Sequence, residues 1–100
     1  MGAYEVGFGS AAVEKNFAKE LSRLDRCALL RIKEAIASLG DEPRPKGKKM
    51  KALRPPIRVF AFLAQYRIRV GDYRILYDVD DEHRRVVLLA LRRRSEKTYR

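Results

Sequence analysis

Cysteine, histidine and tryptophan are nearly missing from this chain of 100 residues, which has one, one and none of them. A lone Cys27 excludes an internal disulfide and any zinc site built on clustered cysteines. A lone His83 excludes paired-histidine metal sites and the two-histidine acid–base arrangement of many ribonucleases. No apolar run approaches the ~20 residues of a membrane-spanning helix, and no signal-peptide pattern is visible. Gly2 lacks its myristoylation context, because Val6 stands where that motif wants Ser or Thr. These absences lead to the expectation of a soluble intracellular protein forming one domain over residues 1–100, without membrane association, metal or cofactor.

Acid is scarce as well. The chain has 23 Lys+Arg against 13 Asp+Glu, a formal net charge of +10. From Pro43 to Gly71 there is no acidic residue, while Arg44, Lys46, Lys48, Lys49, Lys51, Arg54, Arg58, Arg67 and Arg69 are basic. The 46% hydrophobic content argues against a disordered basic tail. A compact, strongly basic domain suits a polyanionic partner.

The pattern along the chain predicts a strand, two helices, a basic loop and then strands. Tyr4 to Phe8 alternates as a half-buried strand does. Ser10 is a suitable N-cap for a helix to about Leu24, with an apolar stripe of Val13, Phe17, Leu21 and Leu24. Asp25 can cap a second helix with the stripe Leu29, Ile32, Ile36 and Leu39, ended by Gly40 before Pro43 and Pro45. The very short connection makes the two an αα-hairpin. Arg44 to Pro56 reads as a Pro/Lys-rich loop and Ile57 to Leu63 as a strand or part of one. Two further strands, Tyr66 to Val70 and Tyr73 to Val79, flank Gly71-Asp72, which suits a two-residue type II′ turn. Val86 to Leu91 is apolar on both faces and suits a central strand. A basic tail follows.

The hairpin turn fixes a register that pairs Val70 with Tyr73, Arg69 with Arg74 and Ile68 with Ile75. Tyr66, Ile68, Val70, Tyr73, Ile75 and Tyr77 then share the face that the helices cover. Arg67, Arg69 and Arg74 share the other. Like charges directly opposed across a pair are destabilising by some tenths of a kcal/mol, about 0.2 or more. A carboxylate or a Thr would remove that penalty, so the cluster reads as an anion cradle. Arginine suits the task, since its fork binds phosphate bidentately and stays charged. The plain alternative is a solvated basic face. In the tail, Arg93, Arg94 and Tyr99 follow the last strand to one end of the same sheet. Lys48, Lys49, Lys51 and Arg54 form an electrostatic attractor for a polyanion or a simple charged loop. His83 reads as solvated and Cys27 as inert packing.

The block Tyr66-Arg67-Ile68-Arg69-Val70-Gly71-Asp72-Tyr73-Arg74-Ile75-Leu76-Tyr77, the preceding αα-hairpin and Pro/Lys loop, and the basic end with Tyr99-Arg100 resemble the RelE/ParE toxin superfamily. The resemblance implies an α+β fold: a small, twisted antiparallel sheet of about four strands with the N-terminal αα-hairpin packed on one face. It also implies the toxin of a type II toxin–antitoxin pair, cytoplasmic and held in a hetero-oligomer by a cognate acidic antitoxin. The RelE branch cuts mRNA in the ribosomal decoding site. The ParE branch targets gyrase and generally lacks the full residue set, so the set points to the RNase branch. The other readings are a ParE-like gyrase inhibitor and an inactive binding homologue.

Carried over by resemblance, Arg67 and Arg69 contact RNA, Arg74 is the arginine of the next strand, and Arg93 or Arg94 is the arginine after the last strand. Tyr99 is the tyrosine that acts on the attacking 2′-hydroxyl. Lys48, Lys49, Lys51, Arg54 and Arg94 are then RNA-binding. RNA supplies its own nucleophile, so the residues need only align the 2′-oxygen and stabilise the phosphoryl charge. Tyr99 can be a general base only if neighbouring arginines favour phenolate, and an arginine is better suited to charge stabilisation than to acid catalysis. A missing acid or base loses roughly 10²–10⁴ in rate. Slow cleavage of free RNA and dependence on the ribosome follow from that shortfall.

Overall fold

A computed structural model describes residues 3–93. The elements run β1 (Glu5–Phe8), α1 (Ala11–Leu21), α2 (Arg26–Asp41), β2 (Met50–Val59), β3 (Phe62–Val70), β4 (Tyr73–Asp80) and β5 (Arg85–Arg93). The strands form one sheet in the order β1-β5-β4-β3-β2. The fold is α+β, as expected, but the sheet has five strands and is mixed. β1 runs parallel to β5, while the other three pairings are antiparallel. The three reversals from β2 to β5 return the chain beside β1 in the direction in which β1 itself runs.

The caps explain where the helices begin. Ser10 accepts a hydrogen bond from the Val13 amide and Asp25 from the Ala28 amide, so both predicted N-caps are in place. Gly40 does not end α2, which continues through Asp41. Its value is proximity. A Cβ at residue 40 would lie 3.2 Å from the Tyr4 carbonyl oxygen and 3.3 Å from Val6, where β1 crosses the helix. The Tyr4 amide donates to the Gly40 carbonyl at 2.9 Å there. Gly71, at φ +60°, provides the left-handed first position of the β3–β4 turn.

The expected loop from Arg44 to Pro56 is shorter than the sequence suggests. Its second half belongs to β2, and Ile57 to Leu63 spans the β2–β3 turn rather than one strand. Pro55 and Pro56 are accommodated because β2 is an edge strand whose pairing with β3 breaks between Ala52 and Ile57. Proline removes a ladder donor, so a bulged edge is where a sheet tolerates it.

The core forms on the helix side of the sheet, from Phe17, Ile32 and Leu39 against Ile68, Ile75, Tyr77, Val86, Leu88 and Leu91. A second cluster joins Val13, Val59, Ala64, Leu76 and Leu89. Tyr77 is fully buried and donates its hydroxyl to the Pro43 carbonyl at 2.7 Å, which fastens the segment after α2 to the sheet. Burial pushes its ionisation well above the usual tyrosine range.

Candidate functional site: an arginine row across three strands

β3 and β4 pair in the register that the turn dictates: Ile68 with Ile75, Arg69 with Arg74 and Val70 with Tyr73. Alternation therefore sets Arg67, Arg69 and Arg74 on the face away from the main core. β2 adds Lys51, which stands opposite Arg67. β5 adds Arg92, which stands opposite Arg74. The result is a transverse row, Arg69–Arg74–Arg92, on three adjacent strands. At the ~4.8 Å spacing of neighbouring strands, the three Cα positions span about 10 Å.

Arg92 was not among the residues that the sequence singled out, and Arg93 was. The resemblance supplied Arg93, and a bulge sets that residue off the arginine face. β4 and β5 change register between Leu76 and Tyr77, where Leu76 pairs with Ala90 and Tyr77 with Leu88. The extra residue, Leu89, inverts the alternation of everything after it. Val86 and Leu88 face the main core before the bulge, and Leu91 does so after it. Arg93 consequently pairs with Tyr73 on the helix side and lines a pocket with Arg31, Asp25 and Asp72. An uninterrupted strand would have put Arg93 on the arginine face. No sequence signal could have revealed the inversion, because Val86 to Leu91 is apolar at every position.

The arginines differ in setting. Arg69 and Arg92 are exposed, and among the described residues neither forms an ion pair. Arg67 and Arg74 are half-buried. Arg67 donates from Nη1 to the Lys49 carbonyl at 3.1 Å, and the same oxygen accepts from the Arg69 amide at 2.9 Å. The start of β2 is thus tied to the arginine strand, and Lys49 and Lys51 are held beside it. Leu76 and Ala90 pair on the same face, so the row borders the second buried cluster. Asp78, the acid that alternation assigns to this face, lies beyond Leu76, about 13 Å from Arg74 at ~3.3 Å per residue. Desolvation holds its carboxyl above the usual range, and its Oδ1 accepts the Val79 amide.

The remaining expected residues are distributed around this row. Lys48 and Lys49 are exposed in the loop before β2, Lys51 is exposed in β2, and Arg54 is exposed where the β2–β3 pairing breaks. Arg94 and Tyr99 lie outside the described residues. Cys27 is exposed, contrary to its reading as packing. His83 is exposed in the β4–β5 turn, where its Nδ1 lies 2.9 Å from Asp80. That contact holds the Asp80 carboxyl below its ordinary range.

Arg44, one of the basic stretch, has a structural task. Its guanidinium contacts Asp81 at 2.6 Å and 3.3 Å, donates from Nε to the Tyr66 hydroxyl at 3.0 Å and stacks over the Tyr66 ring. Tyr4 donates its hydroxyl to the same Asp81 carboxylate. Arg44 holds the Asp81 carboxyl below the usual range, and Tyr4 adds to the effect. The basic loop is therefore anchored at its base and charged beyond it.

Comparison with known proteins supplies context for this geometry. Residues 11–98 match the family model described as the ParE toxin of type II toxin–antitoxin systems. The archaeal RelE–RelB complex of Pyrococcus horikoshii matches at 27% identity and a TM-score of 0.72, covering 94% of this chain and 98% of that one. The RelBE2 toxin–antitoxin complex of Mycobacterium tuberculosis matches at 30% identity and a TM-score of 0.66, covering 96% and 97%. The isolated RelE toxin of E. coli shares the fold at 21% identity and a TM-score of 0.55, covering 96% and 92%. No curated protein sequence matches.

Proposed function

The chain belongs to the RelE/ParE toxin superfamily of type II toxin–antitoxin systems, and from that premise we propose that it is a ribosome-dependent endoribonuclease. The observation that carries this reading is the row Arg69–Arg74–Arg92, with Arg67 and Lys51 beside it. A sheet selected only for stability has no use for arginines opposed across two successive strand pairs. A site for a phosphodiester has. The substrate is mRNA under translation, and the ribosome supplies the alignment that the protein residues do not.

In the proposed step, the 2′-oxygen forms a bond to phosphorus as the bond from phosphorus to the 5′-oxygen breaks. The 2′-hydroxyl proton passes to a base, the role assigned to Tyr99, and the departing 5′-oxygen gains a proton from water or the ribosome. The products are a 2′,3′-cyclic phosphate and a 5′-hydroxyl. Arg69, Arg74 and Arg92 stabilise the charge that builds on the non-bridging oxygens. Arg67, Lys48, Lys49, Lys51 and Arg54 hold the flanking backbone, with Arg94 as a tail contact. The cognate antitoxin, an acidic protein, counters the same positive surface in a hetero-oligomer. The protein acts in the cytoplasm; among the described residues no helix is long and apolar enough to cross a membrane.

Inhibition of DNA gyrase is the second reading, favoured by the ParE description of the matching family model. Induced expression followed by mapping of mRNA 5′ ends separates the two. Cuts within translated codons, lost in Arg69→Ala and Arg74→Ala, support the nuclease. Intact mRNA with damaged DNA supports the gyrase inhibitor.

A further inference from the structure

A groove of about 500 Å³ lies between α1 and the β2–β3 turn, across β5. Arg92 belongs to both this groove and the arginine row, so the two are continuous. The floor consists of Phe17, Val59, Leu89 and Leu91, each at most 7% exposed and already committed to the core. What the groove offers a ligand is its rim: Lys19, Arg23, Arg58, Arg92 and Phe60. Its acid, Glu20, is engaged by Arg23 at 3.4 Å.

Phe60 is unusual in two respects. It is 51% exposed. It also occupies the left-handed backbone region, at φ 56°, in a tight turn where Gly, Asn or Asp would be intrinsically better. A bulky residue in that conformation is strained, and strain of this kind gathers at functional sites. Here it keeps an aromatic face in solvent on a rim with Lys19, Arg58 and Arg92. Aromatic faces interleaved with cations are how proteins hold single-stranded nucleic acid, the base on the ring and the phosphates on the guanidiniums.

We propose that this groove is a nucleotide subsite: Phe60 stacks on an unpaired base next to the scissile phosphate, and Arg58 and Arg92 hold its backbone. The proposal deepens the nuclease reading and rests on it. The apolar face of a protein helix fits less well, because the floor is already buried and the accessible rim is charged.

The chain has no tryptophan, so Phe60→Trp creates a single fluorescent reporter. Short single-stranded oligoadenylate at low salt is expected to quench it saturably, whereas inorganic polyphosphate, which has charge but no bases, is not. Phe60→Gly should fold at least as stably, since glycine suits the backbone, and should bind labelled oligoadenylate about 10-fold more weakly by anisotropy, as expected for losing a base–aromatic stack. Unchanged binding in Phe60→Gly, or no quenching in Phe60→Trp, overturns the subsite and leaves the arginine row untouched. Quenching by an acidic peptide and not by RNA overturns it as well, in favour of a protein ligand. If oligoadenylate quenches normally but expression leaves mRNA uncut, the base contact stands as a single-strand binding site, and its place beside a scissile phosphate falls with the nuclease reading.

Discussion

The two faces of the β3–β4 hairpin come from the same two strands, residue by alternate residue, and they are built on opposite principles. One face carries Ile68, Ile75 and Tyr77, buried against Phe17, Ile32 and Leu39 of the helices. The other carries Arg69 opposite Arg74 and then Arg92, with exposed guanidiniums at both ends of the row. The first face loses stability if any member is trimmed. On the second face, trimming an exposed end of the row, Arg69 or Arg92, is expected to gain a little by relieving repulsion between like charges, whereas Leu76 on that face is packed into the second buried cluster. In this small fold, alternation separates the helix-covered core from a face that carries the arginines at its turn end and the second buried cluster beyond them.

Three substitutions sharpen that contrast. Ile75→Ala empties a fully buried position and should cost about 2–5 kcal/mol, read as a shifted denaturant midpoint. Tyr77→Phe keeps the ring but leaves the Pro43 carbonyl without its hydroxyl donor, and about 1–2 kcal/mol should be lost in the same assay. Arg69→Ala should change stability by no more than about 0.5 kcal/mol, with the sign toward greater stability. That variant should nevertheless lose mRNA cleavage by roughly 100-fold, the scale of one well-placed charge-stabilising donor. A large loss of stability in Arg69→Ala would mean that the arginine face is structural after all.

How legible each face was depends on how its register is set. The β3–β4 pairing could be read because a two-residue turn at Gly71-Asp72 leaves only one register, and alternation then assigns every side chain. The helix starts could be read because Ser10 and Asp25 are side chains that cap. β2 was hidden, because Pro55 and Pro56 argue locally for a loop and only the bulged edge position excuses them. Arg92 was hidden for a subtler reason. Leu89 inserts one residue into a strand without polar alternation, so nothing local betrays that the faces exchange beyond it. The family resemblance placed the functional arginine at Arg93 or Arg94. The register sets Arg92 beside Arg74.

That exchange gives the most direct test. The mRNA 5′ ends should be mapped in cells expressing the unaltered chain, Arg92→Ala or Arg93→Ala, each matched for expression and melting temperature. Cuts inside translated codons are expected for the unaltered chain and for Arg93→Ala, and none above background for Arg92→Ala. Cutting that survives Arg92→Ala and vanishes with Arg93→Ala would contradict that expectation.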